Sequence, residues 1–238
     1  MLNRDTYLTS LGSDAAAFAD LLRDADLETP VPDCPGWDVD ALARHLGGVH
    51  RWAHGVVTTG SPGEEPDGPS DPAQLHAWFV AGAEQLVVAL RDTDPATPVW
   101  TFGPKPRLVE FWVRRQPHET SMHLRDLRRA RGLRHAVDPA FAADGVDEVV
   151  TMMAPRQVRL ERIPPLPHGV RLEAVDVPGA AWVLAGDGTD PGAATEVTLS
   201  GTAEDLLLAL WRRTGLERLT VTGDAAAAEA TFALALTP

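Results

Sequence analysis

The sequence predicts an α+β protein: an N-terminal four-helix bundle with an extra helix over residues 1–162, then a smaller α+β domain over 163–238. Three observations predict it. Apolar residues recur at steps of three and four through the first two thirds of the chain. A proline-rich break, IPPLPHG, spans residues 163–169. Beyond it the pattern changes to short apolar runs separated by Gly, Asp and Pro.

Each element follows from local signals. Leu8, Leu11, Ala15, Phe18 and Leu22 form a helical stripe within residues 5–25. The segment VPDCPGWD then breaks the pattern, and Asp38 is placed to cap a second helix. In that helix Val39, Leu42, Leu46, Val49, Ala53 and Val56 make a core-facing seam. Residues 59–72, TGSPGEEPDGPSDP, read as a loop. Asp71-Pro72 starts a third helix containing Leu75, Trp78, Phe79, Gly82, Leu86 and Leu90. A Pro- and Thr-rich linker precedes a fourth helix from Leu108 to Arg131, and Asp138-Pro139 starts a fifth that carries Met153. The first four make an antiparallel bundle on this reading, with the fifth as an appendage. In the second domain VRLEAVDV, AAWVLAG, TEVTLSG and LTVTG read as strands. Thr202 opens a helix with Asp205 three residues on, in imitation of a capping box, and Asp224 opens a last, alanine-rich one.

Composition narrows the function. Twenty-one basic residues against 34 acidic ones give a net charge of -13, which argues against nucleic-acid binding and against adhesion to anionic lipid. No run approaches the ~20 apolar residues of a membrane span. MLNRDTYLTS shows no secretory signal, and with a single cysteine, Cys34, the expectation is a reduced cytoplasmic protein without disulfides or Cys-cluster metal sites. Lys105 is the only lysine and lies between two prolines, which leaves little room for Schiff-base chemistry. Phosphate loops, dinucleotide fingerprints and nucleophile elbows are absent from the sequence.

The densest polar cluster is RRQPHETSMHLRD, residues 114–126. His118 and His123 are five apart, about 140° round a helix, so they do not share a face. Glu119 and His123 are one turn apart on the same face and suit two ligands of one metal ion. Asp126, near that face, is placed to hold a ligand's second nitrogen or to act as a general base. A third ligand must come from another helix, where His45 and His50 flank the apolar seam on opposite edges and either can point inward. Two imidazoles and a carboxylate make a catalytic-type zinc set whose open position takes water or a thiolate. Plainer readings stand for the rest. His76, His118, His135 and His168 read as surface or cap residues, and Trp37 as a staple for the second helix. Cys34 reads as a small apolar residue with some prospect of reactivity, and the Arg pairs 114/115, 128/129 and 212/213 as solvated.

The words CPGWDVDALARHLGGVHRWA and FWVRRQPHETSMHLRDLRRA, in this order, resemble the mycothiol-dependent maleylpyruvate isomerase family of actinobacteria. The tail, with AWVLAG, TLSGTAEDLLLALWRRTG and LTVTGD, resembles that family's C-terminal domain. The resemblance implies a DinB-like metal-binding bundle and a sterol-carrier-like C-terminal domain. It places the metal ligands on His45, Glu119 and His123, and the family's C-terminal basic residue on Arg212 or Arg213, with Arg213 preferred. It implies zinc and mycothiol as cofactors, and as partners a small electrophilic substrate and a low-molecular-weight thiol. The implied chemistry is attack by a zinc-held thiolate, as cis–trans isomerisation of maleylpyruvate or as S-transfer, with an arginine, here Arg213, holding the substrate carboxylates; Asp126 is the further catalytic candidate that spacing supplies. A non-catalytic metal-binding regulator and a carrier of apolar ligands are the alternatives. Pro117, two residues before Glu119, is a departure expected to kink the fourth helix or start it.

Overall fold

The computed structural model describes residues 1–188, 190 and 192–238. By contacts the chain divides into one unit of residues 2–135 and another of 136–238 together with Met1. Contacts place the division at 135/136, ahead of the 162/163 boundary expected from the sequence. The difference is the segment 139–159, which belongs to the second unit because its first helix packs on a helix of that unit.

The first unit is built from α1 (Arg4–Arg23), α2 (Val39–Thr59), α3 (Leu75–Asp92) and α4 (Val109–Ala130). The caps fall where the short polar residues are. Asp38 accepts from the Ala41 N–H at the start of α2, and Asp71 accepts from the Ala73 N–H in a 3₁₀ turn that leads into α3. Gly60 ends α2 in the left-handed region at φ 79°, a conformation glycine reaches without steric cost. Helix α4 runs through Pro117 without restarting there. The proline gives up the one N–H that would bond Val113 O.

The bundle is not the antiparallel one expected from the sequence. Tyr7 meets His118 and Leu21 O meets Arg131, so α1 and α4 run the same way. Gly47 meets Trp78 and Gly82 meets Arg51, so α2 and α3 also run the same way. Arg4 at the start of α1 reaches Leu90 O and Thr93 O at the end of α3, which makes those two antiparallel. The order is up-down-down-up. Because α2 and α3 are parallel neighbours, the residues between them must travel back along α2 before α3 begins. Helical periodicity fixes which face of a helix is buried and is silent on direction.

The bundle interior is continuous. Phe18, Val39, Leu42, Leu46, Leu75, Phe79, Leu124 and Leu127 are fully or almost fully buried in one cluster, with the Phe18 and Phe79 rings stacked 4.7 Å apart. Between α2 and α3 two glycines admit two large side chains. Neither Gly47, under the Trp78 ring, nor Gly82, under Arg51, has room for a Cβ. The Arg51 guanidinium lies 4.1 Å from the Trp78 ring centre, a cation–π contact.

The second unit holds α5 (Pro139–Glu148), a π-helical turn (Val149–Met153), α6 (Ala154–Arg159), strands β1 (Leu166–Ala174), β2 (Ala181–Gly186), β3 (Val197–Gly201) and β4 (Thr220–Gly223), and helices α7 (Ala203–Leu210) and α8 (Ala225–Phe232). The sheet order is β2-β1-β3-β4, with β1 and β3 parallel and the outer pairs antiparallel. Helix α5 packs on α7, and α8 on β1 and β3. Asp138, Thr202 and Asp224 cap α5, α7 and α8. Asp205 departs from a capping box: its carboxylate takes the Thr202 hydroxyl proton. Among the described residues no helix is long and apolar enough to cross a membrane.

Replacing the buried Phe79 by Ala removes its stack with Phe18 and is expected to lower the unfolding free energy by about 3–5 kcal/mol. Val88→Ser, at a residue 49% exposed, should change it by less than about 0.5 kcal/mol. Urea unfolding followed by tryptophan fluorescence distinguishes the two.

Candidate metal centre

Helices α2 and α4 are antiparallel neighbours, and each presents imidazole or carboxylate groups to the other. His45 Nε2 and His123 Nε2 each lie 3.3 Å from the same oxygen, Glu119 Oε1. The donor atoms of His45, Glu119 and His123 all fall within 4.8 Å of one another. The three residues singled out from spacing and resemblance are thus together. His50, the other candidate on α2, is in the core instead, with its ring 5.5 Å from Phe79.

The other oxygen of Glu119 is held by Arg115, one turn back on α4. Arg115 is buried, contrary to the solvated arginine expected of the 114/115 pair. Its spacing of four residues from Glu119 was the available signal. Burial alone would raise the Glu119 carboxyl; Arg115, His123 and His45 outweigh burial and hold it well below the usual carboxylate range. For His123, burial alone would lower the ring, and Asp126, Cys34 and Glu119 hold it well above the usual histidine value instead.

Asp126 is fully buried, and its Oδ2 is 3.2 Å from His123 Nδ1. Its carboxylate stands against the Nδ1 edge of His123, whose Nε2 is turned toward Glu119. The same oxygen receives the Cys34 thiol at 3.4 Å. Asp126 Oδ1 lies 3.4 Å from Arg125 Nη1, and Arg125 in turn pairs with Asp33. Trp37 completes this side, with its ring 4.9 Å from His45 and 6.2 Å from His123. The turn Asp33–Trp37 thus supplies three supports. Cys34 is more than a small apolar residue, and Trp37 is a wall of the site besides preceding the α2 cap.

The donor set is two imidazole nitrogens and one carboxylate oxygen from two helices, with one carboxylate oxygen tied back by Arg115. That chemistry suits a borderline-soft divalent ion with room for a further ligand. Exposure falls across the three, from 32% at the His45 side chain to 14% at Glu119 and 7% at His123, so the set opens on the His45 side.

The remaining polar candidates lie elsewhere. His118 is buried with its ring edge-on to Tyr7 of α1 at 6.2 Å, a core position and not the surface one expected. It belongs to neither of the two donor groups found among the described residues, His45–Glu119–His123 and Cys34–His123–Asp126. Arg213 lies in the second unit, its guanidinium 5.9 Å from the Trp211 ring and bonded to Trp211 O. Arg212 beside it is exposed and takes a left-handed φ of 55°, ending α7.

Residues 8–128 match the family model described as the mycothiol maleylpyruvate isomerase N-terminal domain. Residues 140–230 match the one described as the MDMPI C-terminal domain. A crystal structure of the mycothiol-dependent maleylpyruvate isomerase covers 94% of this chain and 95% of its own, at 17% identity and a TM-score of 0.64. A histidine-to-alanine mutant of that enzyme gives the same coverage at 16% identity and a TM-score of 0.67. At that identity the likeness is one of fold. No curated protein matches the chain.

Burial sets a pH signature beside the centre. His50 Nε2 lies 2.8 Å from Thr120 Oγ1, whose own proton goes to Gln116 O, so His50 donates and stays neutral. Burial pushes its pKa down to about 3. An unfolded histidine titrates near ~6.5. Between those values the unfolded chain binds a proton that the native one refuses, and stability falls as pH falls. His135, pushed down to about 4 by burial and Arg128, acts in the same direction. From pH 7 to pH 5, His50 should cost about 2 kcal/mol of unfolding free energy. The test is urea unfolding at both pH values, where His50→Asn should show a correspondingly smaller drop than the unsubstituted chain.

Proposed function

The chain belongs to the mycothiol maleylpyruvate isomerase family, and from that premise we propose that it is a metal- and thiol-dependent enzyme acting on a small electrophile. The observation that carries the reading is the convergence of His45 Nε2 and His123 Nε2 on one oxygen of Glu119. These three residues would hold a zinc ion, with His45 as the accessible edge. Bound there, the metal would lower the pKa of a low-molecular-weight thiol such as mycothiol and keep it as a thiolate nucleophile at neutral pH. The reaction class is cis–trans isomerisation about an activated double bond or S-transfer.

The residues of the chain divide the remaining work. Arg115 ties one oxygen of Glu119 and leaves the other for the metal. Asp126 takes the Nδ1 proton of His123, which fixes the tautomer whose Nε2 lone pair faces the site. Cys34 and Arg125 hold Asp126 in turn. Trp37 covers the imidazoles with an apolar ring and keeps water from that side. Asp126 acts through His123 on this reading, as a positioning residue.

The test starts with metal stoichiometry by inductively coupled plasma mass spectrometry on protein made without a histidine tag. About one zinc per chain is expected. His45→Ala, Glu119→Ala and His123→Ala should each lose it, and His118→Ala should keep it. A chain that takes up no metal even after incubation with zinc would sink the reading. Cobalt substitution adds a second check: added thiol should shift the visible d–d bands, and an unchanged spectrum would leave a closed structural site in place of a catalytic one. Asp126→Asn should keep the fold and weaken zinc binding by about 10–100-fold.

A further inference from the structure

The segment from Ser61 to Ser70 returns along α2, and its anchor points on that helix are spaced one turn apart. Trp52 Nε1 donates to Gly63 O at 3.0 Å. Glu65 and Pro66 lie against Gly48, where a Cβ would stand 2.8 Å from Glu65 Oε1 and 3.1 Å from Pro66 O. Arg44 Nη1 donates to Pro69 O at 2.6 Å, and Gly68 leaves space for the Arg44 side chain. Residues 44, 48 and 52 share one helix face. The parallel course of α2 and α3 requires the return, and a bare glycine in mid-helix lets the chain lie close.

The close approach puts Glu65 beside His45, which neighbours Gly48 on the helix. Glu65 Oε1 is 3.9 Å from His45 Nδ1, within ion-pair range but beyond hydrogen-bond distance, on the ring edge away from Glu119. The two imidazoles of the centre share a layout, with a hydrogen bond on the Nδ1 side of His123 and a looser approach on that of His45. Each turns Nε2 to Glu119, and each has a carboxylate on its Nδ1 side: Asp126 at 3.2 Å for His123 and Glu65 at 3.9 Å for His45. A metal-bound imidazole carries its proton on the other nitrogen and needs an acceptor there.

We propose that Glu65 is the positioning carboxylate of His45, delivered by the return segment through the bare backbone of Gly48. The proposal rests on the metal-centre reading above. It makes the tightness of the exposed ligand depend on a glycine- and proline-rich segment, and that of the buried ligand on a helix.

The experiment is zinc affinity, by competition with a chromophoric chelator, for the unsubstituted chain, Glu65→Ala, Gly48→Ala and the double variant. Glu65 is half-exposed and Gly48→Ala adds a methyl group in mid-helix, so all four should fold, as circular dichroism checks. Each single substitution should raise the zinc Kd about tenfold. The double variant should be no weaker than Glu65→Ala, since both changes break one contact. Single variants within twofold of the unsubstituted chain would overturn the proposal and leave the metal centre standing. Fully additive losses would overturn it as well, because the two residues would then act through separate contacts. An unsubstituted chain that binds no zinc would overturn the metal-centre reading itself, and this proposal with it.

Discussion

A carboxylate cannot be buried in a helical bundle without partners, and Glu119 has three. Arg115 takes one oxygen, and His45 and His123 converge on the other. An unpaired buried charge costs several kcal/mol, and removal of one member of a buried pair costs about 3–5 kcal/mol. The surrounding structure follows from that need. His123 brings its own requirement for an acceptor, met by Asp126, which together with Cys34 and Glu119 raises the ring against burial. Asp126, fully buried, needs donors in turn, met by His123, Cys34 and Arg125. Arg125 ends on Asp33, next in sequence to Cys34. The network closes on the turn before α2, so the turn that starts the helix also supports the site.

Helix direction is the second constraint. Helix α1 ends where α2 must begin, and α2 ends a full helix length from the start of α3, its parallel neighbour. The residues between them have to run back along α2 whatever their sequence. Bare positions at Gly48 and Gly68 and a donor from Trp52 let that return lie flat. An element that exists for connectivity thereby acquires a position beside His45. Antiparallel α2 and α3 would have needed only a short turn, and His45 would then have stood open to solvent on that side.

Much of this was legible in the chain. Asp38, Asp71-Pro72, Asp138-Pro139, Thr202 and Asp224 mark helix starts because short polar side chains at those points can take a backbone N–H. Glu119 with His123 was legible because four residues make one turn. Direction was not legible, since an apolar stripe reads the same both ways. His118 misled because a histidine on the far face of α4 looks solvent-bound until α1 is known to cover it. Pro117 misled because a proline in mid-helix costs one hydrogen bond, and tertiary packing absorbed it. Arg115 was legible through its spacing of four residues from Glu119, one turn back on the same helix. Glu65 was visible only as an acid in a loop, and its place beside His45 comes from a long-range contact that no local pattern encodes. The fifth helix was read as one element, whereas the chain makes α5, a π turn and α6.

The two histidines of the centre differ in how they are held, and the difference has a direction. His123 is nearly sealed, with Asp126 beneath it tied into the interior. His45 is a third exposed, and its outer neighbour is a carboxylate on a surface segment. On the proposed function, a metal held between them would rest on a buried inner wall and a more exposed outer one. A thiol and its electrophile would need space, and the inner wall could offer none without breaking buried pairs that cost several kcal/mol each. Adjustment on the outer side involves a longer and more solvated pair, which is worth far less. Entry of small molecules is therefore expected past His45, between the return segment and Trp37, while Glu119 and His123 keep their places.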